Sequence, residues 1–150
     1  MIMKKTALTT SKVLSCIRNA HSPEDAVEFH ESADEPAFSE VLYALMEKHH
    51  LKAREVIRRC RIERSYFYHI LSGKKTPSRN MAIRISLCVE ADLRETDRLL
   101  RLSDSSALYP EIRRDALIIY AISHKMSMED TNHLLIRNEE TPLYREEKNA

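Results

Sequence analysis

Apolar residues recur along most of this chain at intervals of three and four, the spacing that stacks side chains on one face of an α-helix. Phe38, Val41, Leu42, Leu45 and Met46 form such a stripe within 36–49. Val56, Ile57 and Cys60 form the next, within 53–60; Phe67, Ile70 and Leu71, with Tyr66 at their border, form a third within 64–72. Ala82, Ile85, Ser86 and Val89 predict a helix over 78–89 that leaves Arg79 and Arg84 outside, and Thr96, Leu99 and Leu100 one from Asp92 to about 102. Farther on, Ile112, Ala116, Leu117, Ile119, Tyr120 and Ile122 crowd 110–124, and Met128, Thr131, Leu134 and Leu135 mark 127–137. At the other end Val13, Leu14 and Ile17 predict a helix over 10–19. Ser22-Pro23-Glu24-Asp25 has the cap, first-turn proline and N3 acid that would open a short one reaching about residue 30.

The residues between the stripes agree with these limits. Gly73 is the only glycine, placed where the 64–72 helix must stop on a left-handed residue. Pro77 cannot continue a helix, whereas Ser78 can cap the next. Asp92-Leu93-Arg94-Glu95 has capping-box spacing, and Ser103-Asp104-Ser105-Ser106 is a polar linker. One glycine in 150 residues, against a typical share of about 7 %, leaves few sites for hairpin turns and predicts an all-α protein. The expected parts are an acidic helical segment over 1–37, a five-helix domain over 38–102, a helical hairpin over 108–138 and a flexible charged tail over 139–150. The first hairpin helix is apolar on more than one face, so it either buries further intramolecular core or meets a second copy.

The three cysteines, Cys16, Cys60 and Cys88, are odd in number and far apart, as in a reduced cytoplasmic protein. No apolar run is long enough for a membrane span and Lys4-Lys5 leads into a polar stretch, so a soluble intracellular chain is expected. Net charge is only +1, yet 48–79 holds ten basic residues against Glu55 and Glu63. That local balance of +8 leaves −7 for the rest. A basic segment in a near-neutral protein is the footprint of phosphate binding. Conversely, seven acids and no Lys or Arg lie between His21 and Glu40, either a solvated face or an arm that masks the basic one.

Leu51, Val56-Ile57, Ile62, Phe67, Ile70, Gly73 and Pro77-Ser78 together resemble the lambda-repressor/Cro-type helix-turn-helix, over about 38–100. Arg61 stands where that family usually has glycine in the turn, and Lys52 and Ala53 where it has a Ser or Thr cap and glutamine. An L-residue at Arg61 is expected either to take the left-handed conformation, at about 1 kcal/mol or more, or to bend the turn differently. The resemblance implies a five-helix domain whose second motif helix lies in the major groove. It places base reading on Arg64, Ser65 and His69, with Tyr68 between them. The 108–138 hairpin is similar to the C-terminal part of some bacterial regulators with this motif.

The residue types suit that chemistry. Arg64 can give two hydrogen bonds to guanine, Ser65 and His69 can bond several base edges, and Tyr68 can pack on a thymine methyl. Lys52, Arg54, Lys74, Lys75 and Arg79 flank the helix as phosphate contacts. His69 is expected to strengthen binding when protonated. The expected protein is a non-enzymatic regulator that binds double-stranded DNA as a homodimer on a roughly palindromic site. No glycine-rich phosphate loop or nucleophile spacing points to catalysis or to a cofactor, and the adjacent His49 and His50 point about 100° apart, unsuited to share a metal. The alternative is a protein-interaction module on the same scaffold, antitoxin-like or regulator-binding. Single-stranded RNA is disfavoured, because the motif offers no exposed aromatic platform.

Overall fold

Each stripe from Phe38 onward folds as a helix. The computed structural model describes residues 35–146 and, ahead of them, Arg18, Ser22 and Pro23. Apart from those three residues and its end from Glu35, the expected acidic N-terminal segment with its helices lies outside the described residues, as do Cys16 and the last four positions. The chain divides after Pro36, and the unit from Ala37 holds seven helices with no strand among the described residues. They are α1 (Phe38–Lys48), α2 (Ala53–Cys60), α3 (Arg64–Leu71), α4 (Arg79–Cys88), α5 (Leu93–Leu102), α6 (Arg113–Ser123) and α7 (Met128–Arg137). No described helix is long and apolar enough to cross a membrane.

Four of the connections are built alike. His50, Arg61, Glu90 and Lys125 all have positive φ, between 52° and 59°. Each is followed by an apolar residue (Leu51, Ile62, Ala91, Met126) and then by the N-cap of the next helix. The apolar residue's N–H reaches back five positions, from Leu51 to Met46, Ile62 to Ile57, Ala91 to Ser86 and Met126 to Ala121. This bond covers a carbonyl that the helix end would leave open, and turns the chain sharply with an apolar residue on the inside of the corner. None of the four uses glycine. Arg61 is therefore left-handed, with φ 52° and ψ 40°, the first of the two expected alternatives.

Gly73 ends α3 differently. Its φ is 81°, and the bond beyond it runs from the Lys75 N–H to the His69 carbonyl at 3.1 Å. A Cβ there would meet only Ser39 Oγ, at 3.7 Å, so space does not demand glycine. Its φ does.

The middle of the unit is α4, which buries Ala82, Ile83, Ile85, Ser86, Leu87 and Cys88 and packs against α2, α5 and α7. A helix buried almost all round takes apolar side chains all round. The one hydroxyl among them, on Ser86, donates to the Ala82 carbonyl at 2.7 Å. Ser78 accepts from the Met81 N–H, and Asp92 and Glu95 complete a reciprocal capping box. Cys60 and Cys88 are free and buried. The Cys88 thiol donates to Met128 Sδ at 3.9 Å; interaction with the Cys60 thiol and burial push Cys88 far up, whereas interaction with Cys88 and the Arg84 charge pull Cys60 down against burial.

Three expectations need correcting here. Arg79 and Arg84, placed outside by the helical pattern, both turn inward onto carbonyls and a carboxylate. The tail, expected to be flexible from 139, is pinned as far as Tyr144. Asn132, fully buried in α7, accepts from the Leu143 and Tyr144 N–H groups (2.7 and 3.3 Å) and donates to the Tyr144 carbonyl (3.1 Å). Leu143 is buried, and Arg114 Nε donates to the Thr141 carbonyl at 2.8 Å. The hairpin helix expected over 110–124 also starts later, at Arg113, after a turn closed by Ile112 N–H on the Tyr109 carbonyl.

Candidate nucleic-acid interface

Helix α3 is anchored from beneath by Phe67, Ile70 and Leu71, all buried, and packs on α1. Since residues three and four apart share a face, burying these three turns Arg64, Ser65, Tyr68 and Ser72 to solvent. The Arg64 guanidinium lies 5.7 Å from the centre of the Tyr68 ring, and Phe67 meets that ring edge-on at 6.4 Å. The helix has no acid in its first turn, and its N-cap, Glu63, forms no side-chain cap. No N-cap side chain therefore bonds its leading N–H groups, at the end where the helix dipole favours anions.

Of the four residues expected to read bases, three are exposed and neighbouring. The fourth, His69, is half-buried; its carbonyl receives Ser72 Oγ at 3.2 Å and the Lys75 N–H at 3.1 Å. The flanking cations differ more. Lys75 comes back onto α3 with its ammonium 5.7 Å from the Tyr66 ring centre, and Lys74 beside it is exposed. Lys52 and Arg54 are exposed at the start of α2, whose N-terminus also lacks a side-chain cap. Among the described residues none of Lys52, Arg54, Arg64, Lys74 and Lys75 is in an ion pair.

Arg79 is occupied elsewhere. Its guanidinium holds both oxygens of Asp115 at 2.9 and 3.2 Å, and the carbonyls of Ser106 and Ala107 at 3.2 Å each. Asp115 is 2 % exposed. Burial alone would raise its carboxyl, but hydrogen bonds from Arg79 and the Tyr109 N–H and the charges of Arg79 and Arg114 outweigh this and hold it below the usual carboxylate value. The pair fastens α6 to the start of α4.

Behind the α2–α3 corner lies a group the helical pattern did not single out. Arg84 donates to the Cys60 carbonyl at 2.7 Å and to that of Arg61 at 3.1 Å, closing the end of α2 from the side of α4. The Tyr144 ring sits near both arginines, 5.0 Å from the Arg61 guanidinium carbon and 5.4 Å from that of Arg84. Arg61 also reaches Glu129 at 3.7 Å. So the left-handed residue between α2 and α3 is held by α4, by α7 and by the tail that Asn132 clamps. The only sequence signals for these positions are a lone acid and a lone amide inside apolar stripes.

No group of His, Cys, Asp and Glu able to hold a metal occurs among the described residues. No protein-family model, curated protein or solved structure matches this chain.

Proposed function

We propose that the chain is a sequence-specific reader of double-stranded DNA, a transcriptional regulator of the lambda-repressor/Cro type acting as a homodimer, with α2 and α3 as its helix-turn-helix. The observation that carries this reading is the exposed face of α3. Arg64, Ser65 and Tyr68 stand together on a helix seated on a rigid corner, uncapped and free of acids in its first turn. Such a helix presents donors to base edges in the major groove. Lys52, Arg54, Lys74 and Lys75, free of ion pairs, are the phosphate contacts; binding there would release counterions and make affinity fall with salt. Arg79 is left out of the set because its donors are spent on Asp115 and two carbonyls. His69, half-buried, contributes at the edge of the face.

Fluorescence-anisotropy titration against a pool of random duplexes, at about 50 and 200 mM salt, before and after a round of selection, tests the reading. Steep salt dependence with enrichment of a palindromic site supports it. Absence of binding at low salt would turn the assignment toward a module that binds protein on the same scaffold.

A further inference from the structure

Three of the four corners bring a sulfur atom to one place. Cys60 is the last residue of α2, next to the left-handed Arg61. Cys88 ends α4 just ahead of the left-handed Glu90, and Met128 opens α7 just beyond the left-handed Lys125. Helix α4 packs on both α2 and α7, and its Cys88 thiol has both other sulfurs beside it: it reaches Met128 Sδ at 3.9 Å and interacts with the Cys60 thiol. Cys60 is fully buried, and Cys88 and Met128 are each 4 % exposed. Both cysteines are free, and among the described residues no His, Asp or Glu joins them in a group that could hold a metal. What converges is two thiols and a thioether, with no hard ligand.

We propose that Cys60, Cys88 and Met128 form a binding site for a soft monovalent cation, Cu(I), held by two thiolates and one thioether. Such ligands select Cu(I) over the hard divalent ions, which take oxygen, and a structural zinc site would need a fourth ligand. Metal–sulfur bonds of about 2.3 Å in a trigonal plane set neighbouring sulfurs about 4 Å apart. Cys88 and Met128 already stand at that separation.

Binding forms two thiolate–copper bonds and one dative thioether bond, sends the two thiol protons to solvent and moves no electron. The bound ion with its two thiolates carries one negative charge, and Arg84 is placed to offset it. Its guanidinium is fastened to the Cys60 and Arg61 carbonyls at 2.7 and 3.1 Å, and its buried Nε has no acceptor. A thiolate at Cys60 supplies one. A buried site also needs a way in. Helix ends open locally at far lower cost than global unfolding, and all three ligands lie at helix ends. Because Cys60 adjoins Arg61, the ion would tie the α2–α3 corner to α4 and α7. The site does not depend on DNA reading by α3, and its test uses no DNA.

That test is a titration of the reduced full chain with Cu(I) against a chromophoric Cu(I) chelator, oxygen excluded, in a Cys16→Ser background that leaves Cys60 and Cys88 as the only thiols. The expected result is one Cu(I) per chain in a shell of three sulfurs by X-ray absorption, undisturbed by about a hundredfold excess of Zn(II). Met128→Leu, which conserves volume, should keep the helical circular dichroism and weaken Cu(I) binding about tenfold, and Cys88→Ala should weaken it at least about a hundredfold. No Cu(I) retained against the chelator, affinity unchanged by Met128→Leu, nitrogen or oxygen in the shell, or displacement by Zn(II) would overturn the proposal.

Discussion

The corners α2–α3 and α6–α7 share one backbone design and differ in nearly everything attached to it. Arg61 and Lys125 have φ of 52° and 53°; each is followed by an apolar residue whose N–H reaches back five positions, then by an N-cap. Counting from the left-handed residue, Arg64 corresponds to Met128 and Tyr68 to Asn132. The first member of each pair is exposed and the second buried. Where α3 has no side-chain cap and no acid in its first turn, α7 is capped by Ser127 and carries Glu129 and Asp130 in its first turn. The face that α3 leaves open is closed on α7 by the chain's own tail. Such a corner is thus a way of joining two helices; what the second helix presents decides what it can contact.

The sharpest way to break this comparison is to free the second corner from its anchor. Arg79→Ala strands the buried Asp115 carboxylate and is expected to reduce unfolding free energy by about 3–5 kcal/mol, read from a denaturant titration. Because the folded state holds this carboxyl below its ordinary value of about 3.9, the bridge stabilises fully above that pH. Its contribution disappears as pH falls through the lowered folded value, so Asp115→Asn should flatten the acid limb of the stability profile. An unchanged limb would show that the pair does not couple there.

Asn132→Ala removes the acceptor and donor that fix the tail, leaving buried backbone groups at Leu143 and Tyr144 unpaired. A loss of about 2–3 kcal/mol is expected, together with protease cleavage after Asn138 that the wild type resists. If the tail stayed protected, the closure of the α7 face would have another cause.

On the open corner the effect should lie in binding instead. Arg64→Ala is expected to weaken the selected duplex by about 1–3 kcal/mol while Lys75→Ala weakens all sequences alike; Asp130→Ala on the other corner should change neither.

The left-handed residues give the finest distinction. Lys125 is exposed and has no ion-pair partner among the described residues, so Lys125→Gly should relieve its strain and stabilise by up to about 1 kcal/mol, net of glycine's entropy. Arg61→Gly relieves the same strain but gives up Tyr144 and Glu129, and should not stabilise. Equal thermal shifts in the two variants would mean that the side-chain contacts of Arg61 contribute nothing.

Much of this was legible in local pattern. The bounds of α2, the caps at Ser78 and Asp92 and the exposed face of α3 follow from periodicity and capping, which act over a few residues. The anchors act over longer spans. Arg79 finds Asp115 thirty-six positions away, and Asn132 finds Leu143 eleven away; no helical period encodes either. The same holds for Arg84, which a helical wheel assigns to solvent but whose reach lets it close the end of α2. Asp115 and Asn132 are visible only as polar interruptions of apolar stripes, and the pattern names no partner for them. The four corners escaped notice because none uses the glycine that marks such a turn.

The central claim is that α3 reads base edges. It is tested most directly by anisotropy titrations of wild type and Arg64→Ala against the selected duplex and against random duplex at one salt concentration. The account predicts a large loss on the selected duplex and little change on the random one. Equal losses on both would contradict it and leave Arg64 as one more phosphate contact.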